Sequence, residues 1–424
     1  MSRLSEIRIA GFPLPLYLGI LAVLYACMVI GCVPDGIVGG LLLLMVIGAG
    51  LDTLGKTIPV VRTYLGGSVA CILGGAVLSS AGLIPQGALE TADRFVNDQG
   101  FLIFYIAALI CGSLFNIDRD LLLRATARIL PTAIMALAAG GLTVGLLGMC
   151  MGHSFLEGIL YIFVPMTSGG MTAGAVPLSS MYSQVLGQDA GEILTRIAPA
   201  TVLGNVIAIV LAALANNFGR KHPRLTGNGQ LINDGKPVEK RPPAKLSFAN
   251  LATGLIISLA FYQVGELFHT FCGVVPTYAW MIILVVAVKS LRILSEEMEN
   301  AARAWGEFAI YSWTAASLTG IGITLIDLDT IMTRMTPLYF LTVAAGVAAI
   351  TLTAGFAGAR LMGFYPLESA IAAGMCTTNM GGSGNVATLS SAERMELLPF
   401  AQIVTRSCGA LMLTLGGILI RLLA

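Results

Sequence analysis

Leu367-Glu368-Ser369-Ala370-Ile371-Ala372-Ala373-Gly374-Met375-Cys376-Thr377-Thr378-Asn379-Met380-Gly381-Gly382-Ser383-Gly384-Asn385 is the stretch on which the reading of this chain turns. Its first part, residues 367–378, is apolar enough to enter a bilayer. A run of about 12 helical residues nevertheless reaches only about 18 Å, against a hydrocarbon core of about 30 Å. The glycines that follow allow a sharp turn, so the stretch reads as one leg of a re-entrant hairpin that enters and returns on the same side. A second short run, Leu156 to Thr167, is broken in the same way by Ser168-Gly169-Gly170.

The rest of the chain has the same solvent. Of 424 residues, 56% are hydrophobic and only 11% are charged, where soluble proteins carry about 25% charged residues. The formal net charge of +1 argues against nucleic acid as a partner. The eight cysteines form no CxxC pair and none stands near a histidine at metal spacing, so neither a zinc site nor a disulfide framework is expected. No paired catalytic carboxylates and no Ser–His–Asp arrangement point to an enzyme, and no organic cofactor is implied. The first apolar stretch, near residues 14–32, is long enough to remain as a span rather than be cleaved as a signal.

Eleven candidate spans follow from length and apolarity: near 14–32, 36–52, 66–84, 100–116, 127–150, 196–215, 248–267, 273–288, 305–325, 336–356 and 399–422. Threading them with Met1 in the cytoplasm places 19 of the 24 Lys and Arg on the cytoplasmic side, and only Arg94, Arg334 and Arg421 outside. This is the asymmetry that the positive-inside rule demands. It makes the N-terminus cytoplasmic and the C-terminus extracytoplasmic. Ser295-Glu296-Glu297-Met298-Glu299 reads as a capped amphipathic start to the ninth span.

The two short runs belong to a longer self-match. Leu156-Glu157, Gly169-Gly170, Leu178-Ser179-Ser180 and Leu194-Thr195-Arg196 recur as Leu367-Glu368, Gly381-Gly382, Leu389-Ser390-Ser391 and Val404-Thr405-Arg406, at offsets of 210–212 residues. The first unit enters from outside and the second from inside, so the repeats are antiparallel. Inverted repeats with Gly-interrupted segments are the common plan of secondary transporters, whose substrate lies at the repeat interface. The organisation expected is an extra first span (1–35), a first repeat of five spans plus a hairpin near 156–190 (36–215), a linker (216–246), and a second, inverted repeat with its hairpin near 367–395 (247–424). The linker, with Pro223, Pro237, Pro242 and Pro243, reads as a solvated cytoplasmic tether whose basic residues touch membrane lipid at most.

Irregular backbone at membrane depth is tolerated only in protein or around a water-filled cavity. At such a tip, free N–H groups attract anions and free carbonyls suit small cations. Thr377, Thr378, Asn379, Ser383 and Asn385 add neutral oxygens. That chemistry fits a carboxylate together with Na⁺. Arg406, about two turns into the last span, brings a fork that fits a carboxylate and requires a polar neighbour at that depth. Arg196 is its repeat mate, and each hairpin is expected to be paired with a buried arginine. Glu157 and Glu368 read as structural charges.

With these residues in hand, the chain resembles the bacterial 2-hydroxycarboxylate transporter family of citrate and malate carriers, over nearly its whole length. The resemblance is carried by Asn379-Met380-Gly381-Gly382-Ser383-Gly384-Asn385-Val386, by Pro399-Phe400-Ala401-Gln402-Ile403 with Thr405-Arg406, and by Gly169-Gly170-Met171-Thr172-Ala173-Gly174-Ala175-Val176-Pro177. It implies an elevator-type homodimer with a central scaffold, mobile domains carrying both hairpins, and symport with Na⁺ (or H⁺) or carboxylate exchange. By position, Arg406, Asn379, Gly382 and Ser383, with Met380 and with Gly170, Met171 and Thr172 of the first tip, correspond to substrate-binding residues. Asn379, Ser383, Asn385 and Thr405 correspond to coupling-ion ligands. Three departures stand out. Met380 replaces the arginine of citrate carriers, which favours malate or another dicarboxylate. Asn385 replaces an aspartate of the GGxGD pattern, which leaves the ion open. Thr172 replaces a glycine and restricts the first turn. Cation-coupled symport, precursor/product exchange and a glutamate-type sodium symporter are all compatible with this reading, and a channel suits it less.

Overall fold

The computed structural model describes residues 8–58, 66–116, 119–233, 246–271, 277–326, 328 and 336–422. Among them the one sheet is a two-residue antiparallel ladder, Arg8–Ile9 against Phe12–Pro13; the remaining regular structure is helical. The cause is the solvent, because in lipid each backbone polar group must be paired within its own segment. Local chemistry sets the ends. The Leu14–Ile30 helix begins after Pro13, with Pro15 in its first turn. It stops at Gly31, whose left-handed backbone (φ 78°) returns its N–H to Cys27 and Met28. Asp189 opens the Ala190–Lys221 helix by accepting from Gly191 N (2.8 Å) and Glu192 N (3.1 Å).

Seven helices among the described residues are long and apolar enough to cross a membrane, or eight if the bent pair Gln86–Asp98 and Phe101–Asn116 (42°) counts as one span. The protein is thus an all-α multi-pass membrane protein. The described parts of the eleven expected spans lie largely on helices, not all of them long enough to cross. Leu14–Ile30, Gly67–Ser80 and Trp280–Ser290 are shorter apolar helices, and the start of the expected span at 273–288 lies outside the described residues. The capped start at Ser295 is present: its hydroxyl accepts from Met298 N (3.3 Å) at the head of the Glu296–Leu325 helix.

The chain forms two compact units. The first comprises residues 1–106 with 309–329. Its helices approach through glycine: a Cβ on Gly48 would lie 2.7 Å from the Ala315 carbonyl oxygen, and one on Gly75 would lie 2.8 Å from that of Thr319. Such contact is a favoured way to join helices where lipid supplies no hydrophobic drive. Tyr105, fully buried, shares a 2.6 Å hydrogen bond with Thr314.

The second unit, residues 107–308 with 330–424, holds both broken segments. Its long helices are Arg119–Cys150, Ala190–Lys221, Phe248–Phe271, Pro337–Leu361 and Leu398–Leu419. Two expectations are corrected here. The stretch taken as a tether from residue 216 is not free at its start: the helix runs to Lys221, and Thr226, Leu231 and Ile232 are buried. Ile232 bridges Phe364, because its neighbours exchange backbone hydrogen bonds with Gly363 (2.8 Å) and Tyr365 (2.9 Å). Residues 234–245 of that stretch lie outside the described ones. Arg196 is not buried. Its guanidinium stacks on Tyr161 (3.6 Å) and stands 3.9 Å from Glu157, with 45% of the side chain exposed.

Candidate substrate site

Each broken segment is built from short turns. The first runs Phe155–Gly158, a wide π turn at Ile159–Phe163, and Val164–Thr167. It breaks at residues 168–170 and resumes as a second π turn, Met171–Ala175, and the Val176–Leu186 helix. The second runs Pro366–Ser369, a π turn at Ala370–Gly374, and Met375–Thr377. It breaks before the Gly382–Ser391 helix. Gly169, Gly170 and Gly381 carry φ of 96°, 104° and 76°, values that side chains disfavour.

The two tips touch each other. A Cβ on Gly170 would lie 2.8 Å from the Met380 carbonyl, and one on Gly381 would lie 2.8 Å from the Gly169 oxygen. Long helices pack onto both. Gly409 abuts Ser168 (2.9 Å to its oxygen from a built Cβ), and Gly204 abuts Met166 (2.7 Å) and the Thr378 oxygen (3.1 Å). Glycine is needed at these places because backbone is the neighbour.

Around the second tip the polar groups form one network. Asn385 Oδ1 accepts from Asn379 Nδ2 (2.8 Å) and from Thr405 Oγ1 (3.0 Å). Asn379 Oδ1 accepts from Gly381 N (3.1 Å), and Asn205 Oδ1 accepts from Met380 N (3.1 Å). Gln402 Nε2 donates to the Gly382 oxygen (3.4 Å). The Thr405 hydroxyl also faces the Cys376 and Ala401 oxygens, both at 2.7 Å. One proton cannot serve three acceptors, and neutral oxygens of this kind are ligands that a small cation accepts. The Gly382–Ser391 helix starts without a side-chain cap, leaving its first N–H groups for an anion.

Four buried polar atoms of this unit have no partner among the described residues: Asn205 Nδ2, Asn385 Nδ2 and Gln402 Oε1 around the tip, and Arg406 Nε on the Leu398–Leu419 helix. A buried unsatisfied group costs about 1–3 kcal/mol, and native proteins carry few. Three of the four are donors suited to carboxylate oxygens, and the fourth is an acceptor suited to a hydroxyl. The Arg406 guanidinium lies 5.9 Å from the ring of Tyr278.

Of the residues singled out in the sequence, Asn379, Asn385, Thr405, Gly382, Met380 and Gly170 are thus joined in one region. Ser383 stands half-buried in the first turn of its helix, and Met171 is half-buried at the first tip. The Thr172 side chain lies outside the described residues. Asn205, Gln402, Tyr278 and the Cys376 carbonyl were not anticipated as site groups. A lone amide such as Asn205 inside the apolar run 196–215 is the signal that was available. No three His, Cys, Asp or Glu side chains cluster as metal ligands among the described residues.

A glycine-broken site with uncapped donors, set among helices apolar enough to cross a membrane, suits a carrier of small solutes. The chain matches the sequence profile of the 2-hydroxycarboxylate transporter family (2HCT) over residues 9–418. It is 37% identical over 425 residues to the malate transporter MleP of Lactococcus lactis subsp. lactis (strain IL1403), covering 99% of both chains. It is 34% identical to the citrate transporter CitP of Leuconostoc mesenteroides subsp. mesenteroides, covering 99% of this chain and 95% of that one. Against the Na⁺-malate symporter of Bacillus subtilis (strain 168) identity is 32%, covering 98% and 95%. The chain belongs to the 2-hydroxycarboxylate transporter family; it is a transporter and not an enzyme.

Proposed function

We propose that this protein carries a 2-hydroxycarboxylate, malate in preference to citrate, across a bacterial cytoplasmic membrane by cation-coupled symport. The observation that carries the reading is the set of unpartnered groups around the second tip and on the Leu398–Leu419 helix. Asn205 Nδ2, Asn385 Nδ2 and Arg406 Nε supply donors for a carboxylate, and Gln402 Oε1 supplies an acceptor for the neighbouring hydroxyl. The names of the malate and Na⁺-malate relatives support the cargo and the ion. Met380, apolar where a citrate carrier is expected to hold a cation, supports the smaller charge. Arg406 binds the carboxylate; Asn379, Gly382 and Ser383, with Gly170, Met171 and Thr172, shape the pocket; and Asn379, Ser383, Asn385 and Thr405 serve the ion.

The architecture proposed with this function is eleven spans and two re-entrant hairpins in inverted repeats, moving elevator-wise in a homodimer. The repeat has support beyond the sequence match: the π turns at Ile159–Phe163 and Ala370–Gly374 lie 211 residues apart, the offset of Gly170 and Gly381. Both tips also fall in the same compact unit, which supports their moving together.

One observation favours a second reading, exchange of one carboxylate for another. The Asn385 oxygen already accepts two hydrogen bonds and has no negative charge, so it is a weak Na⁺ ligand. Uptake of labelled malate into proteoliposomes, with Na⁺ and pH gradients imposed separately, tests both readings. Uptake that requires a Na⁺ gradient is expected. Uptake that requires only internal carboxylate establishes exchange, and no uptake in any condition overturns malate as the cargo.

A further inference from the structure

Away from the tip, the second unit contains a buried ion pair that transport chemistry does not use. Glu368 is fully buried and pairs with Arg394 (3.2 Å), itself 8% exposed. The two residues stand at opposite ends of the second broken segment, one in its first turn and one after its last helix. Arg394 also donates to the Ala392 (3.2 Å) and Glu393 (3.0 Å) oxygens beside it, and the other partners come from elsewhere. Glu368 Oε1 accepts from Thr226 Oγ1 (2.7 Å) and Gly229 N (3.3 Å), and its Oε2 accepts from Gly227 N (2.8 Å). Arg394 donates to Asn216 Oδ1 (3.3 Å), Thr226 Oγ1 (3.2 Å) and Asn228 Oδ1 (3.3 Å). Asn216 lies on the last turns of the Ala190–Lys221 helix, and residues 226–229 are the loop that follows it.

A buried charge is tolerated when its lone pairs and protons are all taken, and here the partners come largely from one neighbouring helix and its loop. The same helix holds the other end of the segment, where Asn205 accepts from Met380 N (3.1 Å). Arg220, also on this helix, pairs with Glu393 (2.8 Å) on the exposed side. The second segment is therefore fastened to the Ala190–Lys221 helix at tip and base.

We infer that Glu368 and Arg394 are positioning residues: with the 226–229 loop as a strap, they fix the base of the second segment to the Ala190–Lys221 helix, so the substrate tip travels with that helix and does not open as a separate gate. This rests on the transport reading above. If that reading fails, the unaltered protein takes up no hydroxycarboxylate; if the strap fails, the unaltered protein transports and the tests below come out wrong.

The first test joins the two parts covalently at an exposed point. In Arg220→Cys/Glu393→Cys, bridged in proteoliposomes by a short bis-methanethiosulfonate, malate uptake is expected to stay within about twofold of the unbridged double variant. Bridged parent protein and the two single variants control for native cysteines. Arrest on bridging, reversed by reductant, would show that the parts must separate and would overturn the inference. The second test is Glu368→Gln, assayed on protein that elutes as a single folded species. A misplaced tip raises KM, with a rise of at least fivefold expected, whereas a purely structural loss lowers the amount of active protein at constant KM. An unchanged KM overturns the positioning role. If Glu368→Gln does not fold, the bridging test still decides.

Discussion

The two broken segments are repeat mates in sequence, yet their charges do opposite work. Glu157 belongs to a capping box: Ser154 N donates to it at 2.8 Å, and it remains 33% exposed beside a still more exposed Arg196. Glu368, at the same place 211 residues later, is buried and holds Arg394. The arginines differ in the same sense. Arg196 satisfies itself on Tyr161 and Glu157, while Arg406 keeps a buried Nε without a partner among the described residues. The same sequence landmarks thus accompany an exposed ion pair beside the first segment and buried, unsatisfied polar groups beside the second. An unsatisfied donor is where a ligand gains most, because binding removes a cost already present.

The largest expected effect separates the two arginines. Arg406→Ala is expected to lower malate uptake by about a hundredfold, the scale of losing one partner of a buried charge-assisted pair. Arg196→Ala should leave it within about threefold, as for an exposed contact. Equal losses, measured side by side in proteoliposomes, would erase the distinction.

The glutamates give the next contrast. Glu368→Ala strands a buried guanidinium and should destabilise the protein by about 3–5 kcal/mol. Glu157→Ala forfeits only a first-turn charge, about 0.3–1 kcal/mol. Thermal unfolding in detergent, followed by an environment-sensitive thiol dye, compares them, and the two midpoints should fall well apart.

Two changes at the second tip sharpen its chemistry. Met380→Arg should move the malate-to-citrate uptake ratio toward citrate by about tenfold, the worth of roughly 1.4 kcal/mol; an unmoved ratio removes the case for a dicarboxylate. Asn385→Asp adds a charged oxygen where a neutral one stands, so Na⁺ should half-saturate uptake at a lower concentration. An unchanged Na⁺ titration takes Asn385 off the ligand set.

The smallest effect concerns Glu393. Its burial alone raises the carboxyl's pKa, but hydrogen bonds from Arg220 and Asn216, with the charges of Arg220 and Arg394, outweigh it and hold the group below its ordinary range. A lowered folded pKa contributes stability that is present above the unfolded value, roughly 4.3 for Glu, and is lost as pH falls through the folded one. The Arg220–Glu393 pair is 61% exposed on both sides, so the contribution is below about 1 kcal/mol. Unfolding midpoints of parent and Glu393→Gln should converge as pH drops below roughly 4; a constant gap would discount the pair.

These contrasts also mark what the sequence could disclose. The glycine breaks and the polar residues of the second tip were legible because they depart from an apolar background. Asn379, Asn385 and Thr405 do meet in space. The difference between the two glutamates was not legible, since both follow a leucine at the head of a short apolar run, and burial is decided by what packs on top. Thr226-Gly227-Asn228-Gly229 has the composition of a solvated loop, and only its fold-back on Glu368 turns it into a fastening. Arg394 was counted among surface charges for the same reason. Asn205 and Gln402 matter through the tip they reach, which no local pattern encodes.

The strap has a consequence for the order in which the chain is made. Thr226 is synthesised 142 residues before the carboxylate that it binds. Until Glu368 emerges, the loop and Asn216 have no anion or guanidinium to close on. The first half of the protein can therefore insert its helices early but cannot finish its own lower edge. Completion waits for Glu368 and then Arg394, so maturation of the first half is timed by arrival of the second, and a chain truncated before residue 368 carries an open seam by which quality control can recognise it.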